Sequence, residues 1–306
     1  MDVSESCFLV MNFNINNRHY LSFVVFIILH GIAICQGDNE GGLIFDDNEY
    51  LNIELKDITK SSVPGNKKSL RKLYNIEPSD QGTVQNCVAQ AIGNAFGMRY
   101  KNTCDFQCSC HNKMIAYSPA FIYNQLKTGN YCTQGIKLTA ALDLVVSSGI
   151  CPEKYFISDP FDCNNLPSKK HIAIANKYRI RNYKRIFRLK SEQLDSAKYA
   201  AEVIESTITN IDENNPVIVG MIVPQKFSDL KDIKIFKPAK QDFSSTYGHA
   251  MVVIGYDDIH KEIELVNSFG TDWGDQGFIK ISYTDYLSMV RYGYVIYLDK
   301  PNCQNK

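Results

Sequence analysis

Three short stretches of this 306-residue chain carry side chains suited to nucleophilic chemistry. The first is Asp80-Gln81-Gly82-Thr83-Val84-Gln85-Asn86-Cys87, followed by apolar residues at Val88, Ala91, Ile92, Ala95 and Phe96. That i, i+3, i+4 spacing predicts a buried helix stripe beginning at the cysteine. Unpaired backbone N–H groups and the positive end of the helix dipole then face the thiol, and both favour thiolate. Gln81, six residues upstream on a glycine-hinged loop, can fold its amide back to the same point. With the Cys87 N–H it offers two donors to an oxygen that gains negative charge. The second stretch runs from Tyr247 and Gly248 through His249 into Ala250-Met251-Val252-Val253-Ile254, an apolar strand with an imidazole at its mouth. In the third, Val266 through Phe278, Asn267 stands at a strand end. Glycines there let the backbone turn tightly, and Phe269 and Trp273 can roof a polar contact against water. On one fold, Cys87 would be a nucleophile, His249 would take its proton and Asn267 would orient the ring.

In this chain order, Gln81, Cys87, His249 and Asn267 resemble the papain/cathepsin superfamily of cysteine proteases, in a cathepsin-B-like or bacterial-type version. The family's Gln-Gly-x-Cys-Gly-Ser-Cys-Trp corresponds to Gln81 through Val88, with the glutamine-to-cysteine spacing intact. Its Asn-Ser-Trp-Gly-x-x-Trp-Gly-x-x-Gly-Tyr corresponds to Asn267 through Phe278 without a gap. Ser118-Pro119-Ala120-Phe121-Ile122-Tyr123 and Gly149-Ile150-Cys151-Pro152-Glu153 also match, so the likeness spans about residues 63–298. It implies a thiol peptidase acting on protein or peptide substrates, with catalytic Cys87, His249 and Asn267 and an oxyanion hole at Gln81. It implies no cofactor and no metal. It further implies a thiolate–imidazolium pair, with a thiol pKa of about 3–4 and a bell-shaped pH profile. The chain departs from the pattern at Val84, Val88 and Phe269, which replace a cysteine and two tryptophans. The cleft-lining glycine pair reads Gln134-Gly135-Ile136, and the bulk of Ile136 could narrow the cleft or change backbone pairing with substrate. Gly248, Phe269 and Trp273 are read with these three as cleft or supporting residues. The other function class is a non-catalytic binding or structural protein that reuses the fold, because fold alone does not determine function. Such proteins usually lose the nucleophile or the base, whereas all four polar residues are present here.

The elements that must position these groups divide along the chain. A helix after Cys87, a second opened by Ser118-Pro119, a third over 137–147 and a fourth capped by Ser191 fill the first part. The fourth presents Leu194, Ala197, Ala201, Ile204 and Ile208 as its inward face. Short β-branched and aromatic runs follow at 217–223, 250–256, 263–267, 278–283 and 293–298. The fold class is therefore α+β. The resemblance makes it a papain-like two-lobed fold, with a helical N-terminal lobe, an antiparallel β C-terminal lobe and the active site in the cleft between them.

Residues 1–35 read as a signal peptide or an uncleaved signal anchor. Leu21 to Cys35 is an apolar run behind Arg18 and His19, too short for a full membrane span. A secretory route to an extracellular or lysosome-like compartment follows, with membrane contact only where the segment stays uncleaved. Residues 36–62 are acidic and stand where relatives carry an inhibitory leader, so they are read as a short intramolecular inhibitor. The alternation of Leu51-Asn52-Ile53-Glu54-Leu55 suggests an added strand or a segment lying along a groove. Its carboxylates would seek the basic run 177–190. The peptidase domain is then 63–306.

Composition bounds the rest. Formal charge is zero, from 33 Lys plus Arg and 33 Asp plus Glu, and 44% of residues are apolar. That excludes a polybasic nucleic-acid binder and a disordered acidic protein. The run 177–190 is accordingly read as a solvated face, with no nucleic acid as partner. Cys104, Cys108, Cys110 and His111 read as a disulfide-bearing insertion rather than a zinc cluster.

Overall fold

The computed structural model describes residues 41–57, 66–108, 114–192 and 195–299, the side chains of 105–108 excepted. Its first elements are β1 (Leu43–Ile44) and α1 (Asp47–Asn52), with Asp46 as N-cap accepting from the Glu49 N–H at 3.0 Å. β2 (Lys67–Ser69) and α2 (Arg71–Tyr74) lead into the long α3 (Cys87–Cys108), which does begin at the cysteine. α4 (Pro119–Leu126) has proline in its first turn and Ser118 as cap, accepting from the Phe121 N–H at 3.2 Å. β3 (Ile136–Lys137) runs directly into α5 (Leu138–Ser147), and α6 (Lys169–Ala175) follows. The remainder is β4 (Ile180–Arg185), α7 (Ser196–Asp212), β5 (Val217–Pro224), β6 (Ile235–Phe236), β7 (Thr246–Asp257), β8 (Glu262–Val266), β9 (Phe278–Ser282), α8 (Tyr283–Met289) and β10 (Val290–Leu298).

Eight strands form the main sheet in the order β4-β10-β5-β7-β8-β9-β6, with β2 on β7, antiparallel except for β6–β9; β1 and β3 form a separate parallel pair. β7 is buried along almost its whole length because α3 packs against it. A strand covered in this way reads as a continuous apolar run rather than an alternation. Val88, Ala91, Ile92, Ala95 and Phe96 of α3 all lie in the core, as their spacing predicts. The class is α+β, with a helical part followed by a mostly antiparallel sheet.

Several local expectations shift. The fourth helix starts at Ser196, capped by Asp195, which accepts from Ala197 and Lys198 N–H groups at 2.9 and 3.1 Å. Ser191 sits in a separate 3-10 turn, and Leu194 is outside the described residues. The buried face of α7 includes Tyr199, Val203, Thr207, Ile208 and Ile211, with Ile204 packed against it; Ile208 and Ile204 lie inward as expected, while Ala197 and Ala201 are exposed. Larger side chains release more free energy on burial, so they set the rotation of the helix rather than two alanines. Part of the basic run is β4, paired with β10, and its Arg185 is nearly buried against Glu192.

Cys132 and Cys163 form a disulfide, Cys87 and Cys151 are buried free thiols, and Cys104 is disulfide-bonded. Cys110 and His111 of the cysteine cluster lie outside the described residues, as does the apolar run 21–35. No helix among the described residues is long and apolar enough to cross a membrane.

Candidate active site

Local structure explains why the candidate groups meet. The loop before α3 turns at Gly82, whose φ is +58°, a conformation that favours glycine. The Gln81 N–H donates to the Ser268 carbonyl at 2.9 Å, and Ser268 Oγ donates to Gln81 Oε1 at 2.8 Å. Gln81 Nε2 gives one proton to the Val84 carbonyl at 3.0 Å. The amide is thus oriented from both sides, and it is tied to the residue after Asn267.

His249 lies on β7, paired with Met221 of β5, and Asn267 follows the last residue of β8. Asn267 Oδ1 contacts His249 Nε2 at 2.7 Å and accepts from the Ser268 N–H at 2.8 Å. Because a backbone N–H donates to it, that atom must be the amide oxygen. Nε2 of the ring is then the protonated nitrogen, which leaves Nδ1 with a free lone pair. Phe269 stacks on the imidazole with ring centres 4.7 Å apart, and Trp273 packs on Phe269 at 5.8 Å. Trp273 Nε1 is held by the Phe227 carbonyl at 2.8 Å. Cys87 Sγ receives backbone N–H groups of its own helix start and of Ala250, the residue after His249. Cys87, His249, Asn267 and Gln81 are all buried, and the bonds above link Gln81 through Ser268 and Asn267 to His249 and set Cys87 against the residue after His249.

The leader lies over that place. A Cβ on Gly42 would stand 2.6 Å from Cys87 Sγ and 2.7 Å from the Gln85 carbonyl oxygen. A Cβ on Gly41 would be 2.5 Å from the Gly248 oxygen, and one on Gly135 would be 2.5 Å from the Gly41 oxygen. Only glycine allows the chain to pass so close to the thiol. The Ile136 N–H donates to the Gly42 carbonyl at 3.1 Å, and Leu43 pairs with Ile136 in parallel register. The added strand is therefore 43–44. The alternation at 51–55 does not make a strand, because Asp46 caps α1 there and Tyr50 stacks on Tyr292 at 4.5 Å. Leu55 makes one isolated bridge with Arg185.

Charge pairs pin this segment. Lys137 meets Asp46 at 2.8 Å and Glu49 at 2.9 Å; Arg291 Nε and the Tyr292 hydroxyl reach Asp47 at 2.8 and 2.7 Å. Among the described residues, the 177–190 run supplies Lys184, which meets Glu54 at 2.5 Å, and Arg185, whose Nε donates to the Ile53 carbonyl at 2.9 Å. The hydrogen bond from Lys137 holds the Asp46 carboxyl below its ordinary range. Burial pulls Asp47 upward, but hydrogen bonds from Arg291 and Tyr292 outweigh it and leave its pKa lowered.

With the leader seated, burial pushes the Cys87 thiol up to about 12 and the His249 imidazole down to about 4. Both shifts favour the uncharged forms in this covered arrangement, whereas the resemblance implies a thiolate–imidazolium pair. Desolvation of two would-be charges exceeds the benefit of the helix-start N–H groups.

Among the expected cleft residues, Gly135, Ile136 and Gly248 line the leader's path, whereas the Gln134 carbonyl accepts from Tyr123 and its side chain from Thr128. The sequence reading gave no role to Gly41-Gly42 or Leu43, and it named Tyr247 without a role. The Gly-Gly pair beside Leu43 was a visible signal for a close approach. Tyr247 is buried with a hydroxyl that has no partner, and it lines a cleft of about 320 Å³ with Gln81, Gln85 and Phe269.

Known proteins share this fold. Xylellain, a cysteine protease from Xylella fastidiosa, superposes with a TM-score of 0.68 at 21% identity, over 85% of this chain and 97% of that chain. Procathepsin B from Trypanosoma congolense gives 0.62 at 15%, over 81% and 83%. An uncharacterized peptidase C1-like protein of Acanthamoeba polyphaga mimivirus is 22% identical over 250 residues, which is 79% of this chain and 76% of its own. The family model described as papain family cysteine protease matches residues 98–293. The helices, the antiparallel sheet and this match together place the chain in the papain family of cysteine proteases, and it is a cysteine-type peptidase.

Proposed function

We propose that Cys87, His249, Asn267 and Gln81 carry out peptide hydrolysis and that residues 41–57 hold this set closed. The observation that carries the reading is the buried chain of contacts from Gln81 through Ser268 and Asn267 to His249, beside Cys87 at a helix start. Once the cleft is open, Nδ1 of His249 takes the thiol proton and the thiolate attacks the peptide carbonyl. The second proton of Gln81 Nε2 and the Cys87 N–H receive the oxyanion. Imidazolium protonates the departing amine, and water then releases the acyl group from sulfur. A secretory route belongs to the same reading, supported by the apolar run 21–35 and the Cys132–Cys163 disulfide, since such bonds persist in oxidising compartments.

Gln81→Ala tests the assignment in full-length protein whose leader is displaced by Gly41→Val and Gly42→Val. It removes a donor used in the transition state, so kcat falls about 10²–10³-fold with KM little changed. Unaltered kcat would show that the oxyanion is held elsewhere.

Acid is expected to loosen the leader. His249 sits at about 4 rather than its ordinary 6.5, so the closed state loses stability as pH falls from about 6.5 to about 4. Asp46 and Asp47, both lowered, keep their contribution above the ordinary carboxylate pKa of about 3.9 and lose it as pH falls further. Hydrogen exchange of the amides in 43–53, corrected for intrinsic rates, should therefore be faster at pH 4 than at pH 7. Equal protection at both values would contradict this.

A further inference from the structure

The leader touches the cleft with two kinds of group. Leu43, one residue beyond the glycine at the thiol, is buried in an apolar pocket. Gly220 gives that pocket its depth: a Cβ there would stand 3.0 Å from Leu43 Cδ2 and 3.3 Å from Leu138 and Tyr292 side-chain carbons. Around the pocket stand two cations on separate elements, Lys137 at the start of α5 and Arg291 on β10. Their carboxylate partners among the described residues are Asp46 and Glu49 for Lys137 and Asp47 for Arg291, all from the leader. Even with the leader seated, the two side chains are 37% and 36% exposed. Departure of the leader strips both cations of their partners while they still flank the pocket. The Tyr292 hydroxyl, which donates to Asp47 at 2.7 Å, is freed as well.

We propose, resting on the catalytic reading of Cys87 above, that Lys137 and Arg291 select acidic peptide substrates. Such a substrate places a leucine-sized apolar residue in the pocket vacated by Leu43 and its own carboxylates against the two cations. The leader is a cast of this surface: Leu43 is followed by Asp46, Asp47 and Glu49 within six residues. An unpaired cation beside a low-dielectric pocket attracts a carboxylate and repels an ammonium group. Each pairing lies near the surface, so the gain per carboxylate is modest, about two- to fivefold in kcat/KM, and screened by salt.

The test uses full-length protein carrying Gly41→Val and Gly42→Val, with internally quenched peptides containing one leucine. In three versions the leucine is flanked on both sides, within four residues, by aspartate, asparagine or lysine. The expected order of kcat/KM is aspartate over asparagine over lysine, with at least about a tenfold span that narrows in high salt. Leucine to alanine in the peptide should lower kcat/KM by about tenfold or more. Adding Lys137→Glu and Arg291→Glu should invert the order, a result that a merely structural role for these residues would not produce. Equal cleavage of all three versions would overturn the proposal and leave the peptidase reading standing. Cleavage of none, with Cys87 still unreactive toward a thiol-directed inhibitor, would overturn both.

Discussion

Full-length protein carrying Gly41→Val and Gly42→Val is expected to react with a thiol-directed inhibitor at Cys87 about 10³-fold faster at pH 7.5 than the parent chain. The size of the effect follows from two facts. Any side chain at position 42 collides with Cys87 Sγ and the Gln85 carbonyl, and any at 41 collides with the Gly248 backbone, so the segment must leave its track. Cys87 and His249 are fully buried beneath it, and burial, outweighing their hydrogen bonds, pushes the thiol up to about 12 and the imidazole down to about 4. A thiol near 12 is thiolate to only a few parts in about 10⁵ at pH 7.5, whereas an ordinary thiol near 8.5 is about one-tenth ionised. With solvent admitted and His249 able to hold the proton, thiolate is no longer scarce. Steric access adds to this chemical gain. Mass spectrometry of the labelled peptide reports both the site and the rate. A parent chain that labels as fast as the variant would show that residues 41–57 do not guard the thiol.

Cys87→Ala in the same displaced background should remove peptide cleavage, a loss of about 10⁶-fold if the nucleophile and its base act as a unit. The substitution deletes one sulfur from a fully buried position at the first residue of α3. Alanine is the better helix former, and the small cavity costs about 1 kcal/mol, so folding should persist. Circular dichroism and thermal melting establish that the variant is folded, and peptide cleavage then isolates the chemistry. Residual cleavage within tenfold of the parent would assign the nucleophile elsewhere. Cys151, the other buried free thiol, supplies the control: Cys151→Ala should leave cleavage unchanged.

The candidate catalytic residues were legible in the sequence because each depends on local structure. Cys87 opens a helix whose apolar stripe begins with the next residue, and His249 sits at the mouth of an apolar run that makes a buried strand. Asn267 ends another strand, beside glycines that turn the backbone. Spacing of 3.6 or 2 residues and turn-forming types are properties of neighbours in the chain, so they can be read without a fold. The α+β class follows from the same patterns.

Other features were decided by contacts between distant residues. The rotation of α7 depends on which side chains find the core, and the charge on Cys87 and His249 depends on what covers them. A helix start favours thiolate, but a glycine pair 45 residues earlier, laid over the sulfur, reverses the balance by excluding water. The path of the leader was hidden for the same reason. Its Leu51–Leu55 alternation suggests a strand, yet the Asp46 cap, the stacking of Tyr50 on Tyr292 and the pairing of Asp47 with Arg291 make a helix there and move the strand to Leu43–Ile44. The cap is local, but Tyr292 and Arg291 lie more than 200 residues away along the chain. Pairing energy and desolvation are set by proximity in space, and only the folded chain brings such groups within a few ångströms of each other.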